Sequence, residues 1–159
     1  MLNDSELAEL EDVARRCRRD IVRMTHKAGS GHPGGSLSAI DALVVLYLRH
    51  MRVRPEDPLW HERDMFFLSK GHCTPAYYAA MAARGYVPHE ELLTFRAMGS
   101  RLQGHPSNTH LPGVDSSSGS LGQGLSLANG AALAARYEGL GARYYVMIGD
   151  GESQEGQIW

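Results

Sequence analysis

The stretch GSGHPGG, residues 29–35, fits the spacing G-x-G-x-x-G of a dinucleotide-binding turn, and its surroundings decide the fold. That fingerprint has physical meaning only where the glycines leave a strand, open a helix in a βαβ unit and meet an acidic residue about 20 positions on. The preceding residues predict a helix instead. Leu7, Leu10, Val13, Ala14, Cys17, Ile21 and Met24 recur with a 3.6-residue period. Asn3 and Glu6 have the spacing of a capping box, and Gly29 stands where a helix takes a C′ glycine. The glycines therefore end a helix, which argues against a nicotinamide-type turn and leaves His32 to be explained.

The chain has 159 residues, 43% apolar and 21% charged, which is ordinary for one globular domain. A formal charge of −2 gives no general attraction to nucleic acid or anionic lipid. The longest apolar stretch, residues 39–48, contains Asp41 and is too short to span a bilayer, and the acidic N-terminus has no basic-then-apolar signal segment. Cys17 and Cys73 stand in unrelated contexts, which predicts a reducing cytoplasm and no disulfide framework. The run RRCRR, residues 15–19, spreads around a helix near Glu11, Asp12 and Asp20, so a solvated face is favoured over a nucleic-acid patch, with Cys17 directed to the core.

Farther along, Leu37, Ile40, Leu43, Val44, Tyr47, Leu48 and Met51 predict a second helix, capped by Ser36 or Ser38. MFFL, residues 65–68, predicts a buried strand running into Ser69, Lys70, Gly71 and His72. Thr74 as N-cap with Pro75 at N1 opens a helix that stops at Gly85, and Pro88 starts another short one ending near Met98. Residues 99–119 form a long polar loop. Its serine-rich end, residues 115–120, has the composition of a linker, yet long loops inside compact domains are more often functional. A helix over residues 121–136 and a strand over 143–148 follow, with Gly149, Asp150 and Gly151 as the turn. Strands separated by helical crossovers predict an α/β fold, a parallel sheet with helices on both faces. Only two strands are convincing, and the sequence stops at Trp159 where the next helix should begin, so it reads as cut short.

The chemistry is expected in loops at the carboxyl ends of those strands. His32, His72, His105 and Asp150 invite a zinc reading, but none has the short paired spacing of zinc ligands. Histidines beside glycines can instead donate to and accept from sugar hydroxyls and carry protons near neutrality. His26, His50, His61, His89 and His110 read as surface residues. GSLGQG, residues 119–124, just before a helix, can set bare N–H groups against a phosphate. Asp150 supplies a hard oxygen ligand for magnesium or calcium, which would bridge it to a diphosphate.

With these residues in place, the chain resembles the transketolases. SGHPGGSLS (30–38), LSKGH (68–72), LQGHPS (102–107), GSLGQGLS (119–126) and IGDGESQEGQIW (148–159) occur in that family's order. The resemblance is to the N-terminal, diphosphate-binding half, particularly the form made as two separate subunits. It implies a partial thiamine diphosphate-binding fold over residues 1–159, incomplete at the C-terminus. It further implies that His32 reaches a substrate hydroxyl near the reacting carbon, His105 the terminal hydroxyl of the donor ketose, and His72 the cofactor phosphates. Gly119, Ser120 and Leu121 would line thiamine diphosphate, Gly151 would meet its diphosphate, Asp150 would bind Mg2+ (or Ca2+), and Glu155 would join a carboxylate network at a subunit interface.

The implied activity moves a two-carbon ketol unit from a ketose phosphate to an aldose phosphate, with the cofactor as electron sink. In the family, the glutamate that activates the aminopyrimidine lies in a pyrimidine-binding domain, and an asparagine turn downstream completes the metal site. Neither is in this sequence, so a pyrimidine-binding C-terminal subunit is the expected partner, in a hetero-oligomer or a homodimer of halves, and the isolated chain is expected to be inactive. The alternatives are another thiamine-dependent two-carbon transferase on an unusual sugar, and a non-catalytic fragment.

Overall fold

Asn3 and Glu6 form the capping box their spacing predicts: the Glu6 N–H donates to Asn3 Oδ1 at 2.9 Å and the Asn3 N–H to Glu6 Oε2 at 3.0 Å. From this cap α1 (Asp4–Ala28) runs to Gly29, left-handed at φ 62°. The computed structural model describes residues 2–159. The chain forms two compact units, Met1–His50 with His72–Gly104 and Met51–Gly71 with His105–Trp159.

In the first unit α1, α2 (Pro33–Val45) and α3 (Thr74–Arg84) pack on one another. Their shared core holds Ile21, Met24, Ile40, Leu43, Tyr77 and Met81, all buried. Ser36 and Ser38 do not cap α2. They lie inside it, their hydroxyls donating back to the carbonyls of His32 at 2.9 Å and Gly35 at 2.8 Å. The helix starts earlier because Pro33, with φ preset and no N–H to satisfy, suits its first turn. α2 passes into a π-helical turn, Leu46–His50. Cys73, not Thr74, is the N-cap of α3, which ends at left-handed Gly85. The helix expected from Pro88 to Met98 is a single 3₁₀ stretch, His89–Thr94. Arg96, at φ 62°, turns the chain away and donates its N–H to the Leu102 carbonyl at 2.9 Å.

The arginine run is a solvated face, as expected. Arg15 and Arg16 pair with Asp12 at 3.2 and 2.8 Å, and Arg18 with Asp41 at 2.6 Å. Cys17 faces the core, its thiol donating to the Ala79 carbonyl at 3.6 Å. Burial, reinforced by the Asp20 carboxylate, pushes that thiol's pKa up to about 12.

In the second unit β1 (Met65–Leu68) and β2 (Tyr144–Met147) pair in parallel, from Met65 opposite Tyr144 to Leu68 opposite Met147. α4 (Gln123–Glu138) packs on both strands. The α/β class with parallel pairing is the one the crossovers predict. α4 begins later than expected because Gly122, left-handed at φ 83°, holds the residues before it out of the helix.

Residues 115–120 are not a free linker. The Asp115 carboxylate takes the Arg63 guanidinium and the Phe66 N–H of β1, both at 2.7 Å, and the Ser118 N–H donates to the Pro106 carbonyl at 3.2 Å. At the start of the sheet, Asp64 is fully buried and accepts the N–H groups of Arg52 and Arg143, both at 2.9 Å.

Candidate functional site

Parallel pairing places the residues after β1 and those after β2 at the same end of the sheet. The Ser69 N–H continues the ladder to the Met147 carbonyl at 3.0 Å, so Ser69, Lys70 and Gly71 emerge beside Ile148, Gly149 and Asp150. A Cβ on Gly71 would lie 2.7 Å from Ser118 Oγ and 2.9 Å from the Gly119 nitrogen. Only a glycine lets the loop before α4 come this close. Gly119 in turn faces the His105 ring, 3.5 Å from where its own Cβ would be. A side chain at Gly122 would meet Gln157 Cβ at 3.2 Å and Glu155 Cβ at 3.3 Å.

The second unit therefore brings together most of the residues singled out in the sequence. Gly119, Ser120 and Leu121 form the exposed loop before α4, His105 packs on it, and Glu155 lies alongside it. Asp150 and Gly151 form the exposed turn after β2. The two places are tied by a residue that sequence reasoning passed over. Glu152 is 3% exposed, and its carboxylate accepts the Ser69 hydroxyl, the Gly122 N–H at 2.8 Å and the Gly149 N–H at 2.9 Å. The signal was present in the sequence, since Gly149 and Glu152 have the three-residue spacing by which a glutamate reaches back to an N–H in a capping box.

His32 and His72 belong to the first unit, where they meet each other. Their rings stand edge to face with centroids 5.3 Å apart. His32 is the N-cap of α2, its ring making no cap bond, and His72 lies in the 3₁₀ turn Gly71–Cys73. Gly35 allows the approach, because a Cβ there would lie 2.7 Å from Cys73 Sγ and 3.3 Å from His72 Nε2. Arg96 is a second residue missed in the sequence. Its guanidinium donates to Ser30 Oγ at 3.0 Å, and a Cβ on Gly104 would lie 2.8 Å from its Nε.

The loop before α4 suits an anion. It walls a cleft of about 230 Å³ lined by Ser118, Gly119, Ser120, Gln123, Gly124 and Leu127. The α4 N-terminus beside it carries no side-chain cap, and the buried Ser118 hydroxyl has no hydrogen-bond partner among the described residues. Uncapped N–H groups, the positive helix end and an unsatisfied hydroxyl are what a diphosphate would use.

Residues 10–158 match the family described as transketolase, thiamine diphosphate binding domain. The chain belongs to the transketolase family. It is 46% identical over 151 residues to the 6-deoxy-6-sulfo-D-fructose transketolase subunit SqwG of Clostridium sp. (strain MSTE9), a match covering 95% of this chain and 55% of that protein. With an apulose-4-phosphate transketolase subunit of Phocaeicola vulgatus it shares 40% over 154 residues, covering 97% of this chain and 54% of that one. Among solved structures, transketolase from Leishmania mexicana matches with a TM-score of 0.85 at 35% identity, over 94% of this chain and 24% of that one. The chain thus spans about half the length of the curated subunits it matches. The fold is a partial thiamine diphosphate-binding α/β fold, matching the N-terminal part of the family. No helix among the described residues is long and apolar enough to cross a membrane.

Proposed function

We propose that residues 1–159 form a diphosphate-binding domain that acts with a pyrimidine-binding subunit to move a two-carbon ketol unit from a ketose phosphate to an aldose phosphate. The observation that supports this most directly is the meeting, at one end of the sheet, of an anion-suited loop with the Asp150 turn. Thiamine diphosphate, when bound, supplies an electron sink for cleavage of the carbon–carbon bond. Gly119, Ser120, Leu121 and Gly151 offer it backbone, and His72 an imidazole N–H for its phosphates. Asp150 is exposed, and its carboxylate has no partner among the described residues, so it is open to Mg2+ or Ca2+. Such an ion takes six or more oxygens, the rest coming from the diphosphate, water and groups outside residues 1–159.

His32 and His105 are both exposed beside glycines and are assigned to sugar oxygens, moving protons at the hydroxyls of the donor. Glu155, exposed beside Gly122, is assigned to a carboxylate network with the partner, in a hetero-oligomer or a homodimer of halves. Cys17 and Cys73 are free thiols, both buried, and the cytoplasm is the compartment assigned to the protein. A second reading, an unusual ketose as donor, is favoured by the relatives' names, since both half-length subunits are named for sugars outside the common ketose phosphates.

The test is a steady-state assay of the chain assembled with a pyrimidine-domain subunit, thiamine diphosphate and magnesium. His32→Ala and His105→Ala should each lower turnover about 10²- to 10⁴-fold with little change in cofactor affinity. His72→Ala and Asp150→Asn should instead weaken cofactor binding, the latter by removing the anionic oxygen a hard cation favours. Full turnover in both of the first two variants would remove the sugar-facing assignment. Ketose cleavage by the 159-residue chain alone would remove the need for a partner.

A further inference from the structure

Glu152 is a buried carboxylate whose three donors are all neutral: the Ser69 hydroxyl, the Gly122 N–H and the Gly149 N–H. A buried carboxylate is costly unless its oxygens are hydrogen-bonded, so these bonds hold their segments firmly. The three donors sit on three different stretches. Ser69 follows β1, Gly122 closes the loop before α4, and Gly149 opens the Asp150 turn. Ser69 is itself wedged under α4, since a Cβ on Gly124 would lie 2.6 to 2.7 Å from its Cβ, Cα and Oγ.

We propose that Glu152 is a positioning residue that locks the loop of Gly119, Ser120 and Leu121 and the turn of Asp150 and Gly151 at a fixed separation, so that both are set before the cofactor arrives. This rests on the assignment of thiamine diphosphate to that loop and turn. The carboxylate is needed in its symmetric, two-acceptor form. One oxygen takes the Gly122 N–H and the other the Gly149 N–H. Glutamine, however its amide is turned, sets an NH2 against one of those N–H groups, and aspartate is a methylene too short to span them. Segments already held in the bound arrangement lose less freedom on binding, and loosening them costs affinity.

The experiment joins two readouts for Glu152→Gln: hydrogen exchange over residues 119–122 and 148–151 in the cofactor-free 159-residue chain, and titration of thiamine diphosphate with magnesium into the chain assembled with its partner subunit. Both segments should exchange faster, and the dissociation constant should rise about 10- to 100-fold, the usual effect of losing a group that orients direct ligands. Asp64→Asn, at the opposite end of the same strands, is the control for general destabilisation. It should lower the melting temperature and leave the cofactor constant unchanged. If Glu152→Gln fails to fold, Ser69→Ala removes one bond of the three and should give the same two changes in smaller measure. Unchanged exchange in either segment, or a change in affinity no larger than that of Asp64→Asn, overturns the proposal. If the wild-type assembly does not bind thiamine diphosphate while Glu152→Gln still speeds exchange, the cofactor assignment falls and the positioning role falls with it, leaving a structural clamp.

Discussion

The two units are held by different balances of apolar and polar forces. In the first, three helices turn apolar stripes inward, and residues such as Ile21, Met24, Ile40, Leu43 and Met81 are sealed from water. In the second, every residue of β2 is only half-buried, and α4 buries just Gly124, Ala128 and Ala135. Its apolar core is smaller, Phe66, Phe67 and Leu68 of β1 with Leu111 and Val114, and what fixes its loops is a set of buried carboxylates at the junctions between strand and loop: Asp64 before the strands, Asp115 beside β1 and Glu152 beyond their far ends. Apolar burial is non-directional and sums over area, whereas a carboxylate fixes particular N–H groups in particular places. The helical unit is thus built for bulk stability, and the strand unit for the position of its loops.

The largest way to break this contrast is in the helical core. Leu43→Ala should cost about 2 to 5 kcal/mol through lost transfer energy and an unfilled cavity. Leu43 is fully buried, and α2 lies against both α1 and α3, so the site has little room to collapse. Denaturant melts followed by hydrogen exchange over α2 would check it, and a loss below about 1 kcal/mol would mean that this core is looser than its burial implies.

Polar junctions should show themselves through pH. Burial raises the Asp64 carboxyl, but the N–H groups of Arg52 and Arg143 and the Arg52 guanidinium outweigh it and hold the pKa below the ordinary value. Asp64 therefore contributes stability that is present above the unfolded carboxylate pKa of about 4 and is lost as pH falls through its lowered folded value. Burial raises Asp115 as well, and there the Phe66 N–H and Arg63 do not make up the difference. Its contribution has the opposite sign: it is fully present below the unfolded pKa and is lost as pH rises through the raised folded value. Asp64→Asn should cost about 1 to 3 kcal/mol at neutral pH, since buried N–H groups lose an acceptor, and less on acidification. For Asp115→Asn the gap from wild type should widen on acidification. Thermal melts from about pH 3 to 7 would show the two trends, and parallel curves would refute the assignment of opposite signs.

The same division explains what was legible in the sequence. The 3.6-residue period from Leu7 to Met24, the Asn3 and Glu6 box and the MFFL strand are local signals with no strong competitor, and each is realised. Ser36 and Ser38 misled because a serine inside a helix can bond back to a carbonyl one turn earlier, and Pro33 had already set the start. The short helix after Pro88 ends early because Phe95 already leaves helical backbone at ψ 124°, and Arg96 then takes a left-handed conformation that no propensity forecasts for arginine. Two of the three Glu152 bonds and the Arg96 bond went unread for a common reason. Their partners Ser69, Gly122 and Ser30 lie 83, 30 and 66 residues away in the chain, and periodicity carries no information at that range.

Two glycines of α4 sharpen the comparison within a single helix. Gly124 lies in the seam against Ser69, where a Cβ would come within 2.6 Å of the Ser69 Cβ. Gly124→Ala forces α4 off the end of β1 or Ser69 off Glu152, an overpacking change that should cost about 1 to 3 kcal/mol. Gly130 stands on the same helix with nothing within 4 Å of its would-be Cβ. There alanine meets no neighbour and restricts the unfolded chain more than glycine does, so Gly130→Ala should stabilise by about 0.4 to 1 kcal/mol. Chemical denaturation of both variants at one pH decides between two pictures of α4. Opposite signs mean that the helix is fixed along one narrow seam that also holds the Ser69 and Glu152 clamp. If Gly130→Ala also destabilises, that face of α4 lies against something a Cβ disturbs, and the second unit owes more to packing than to its carboxylates.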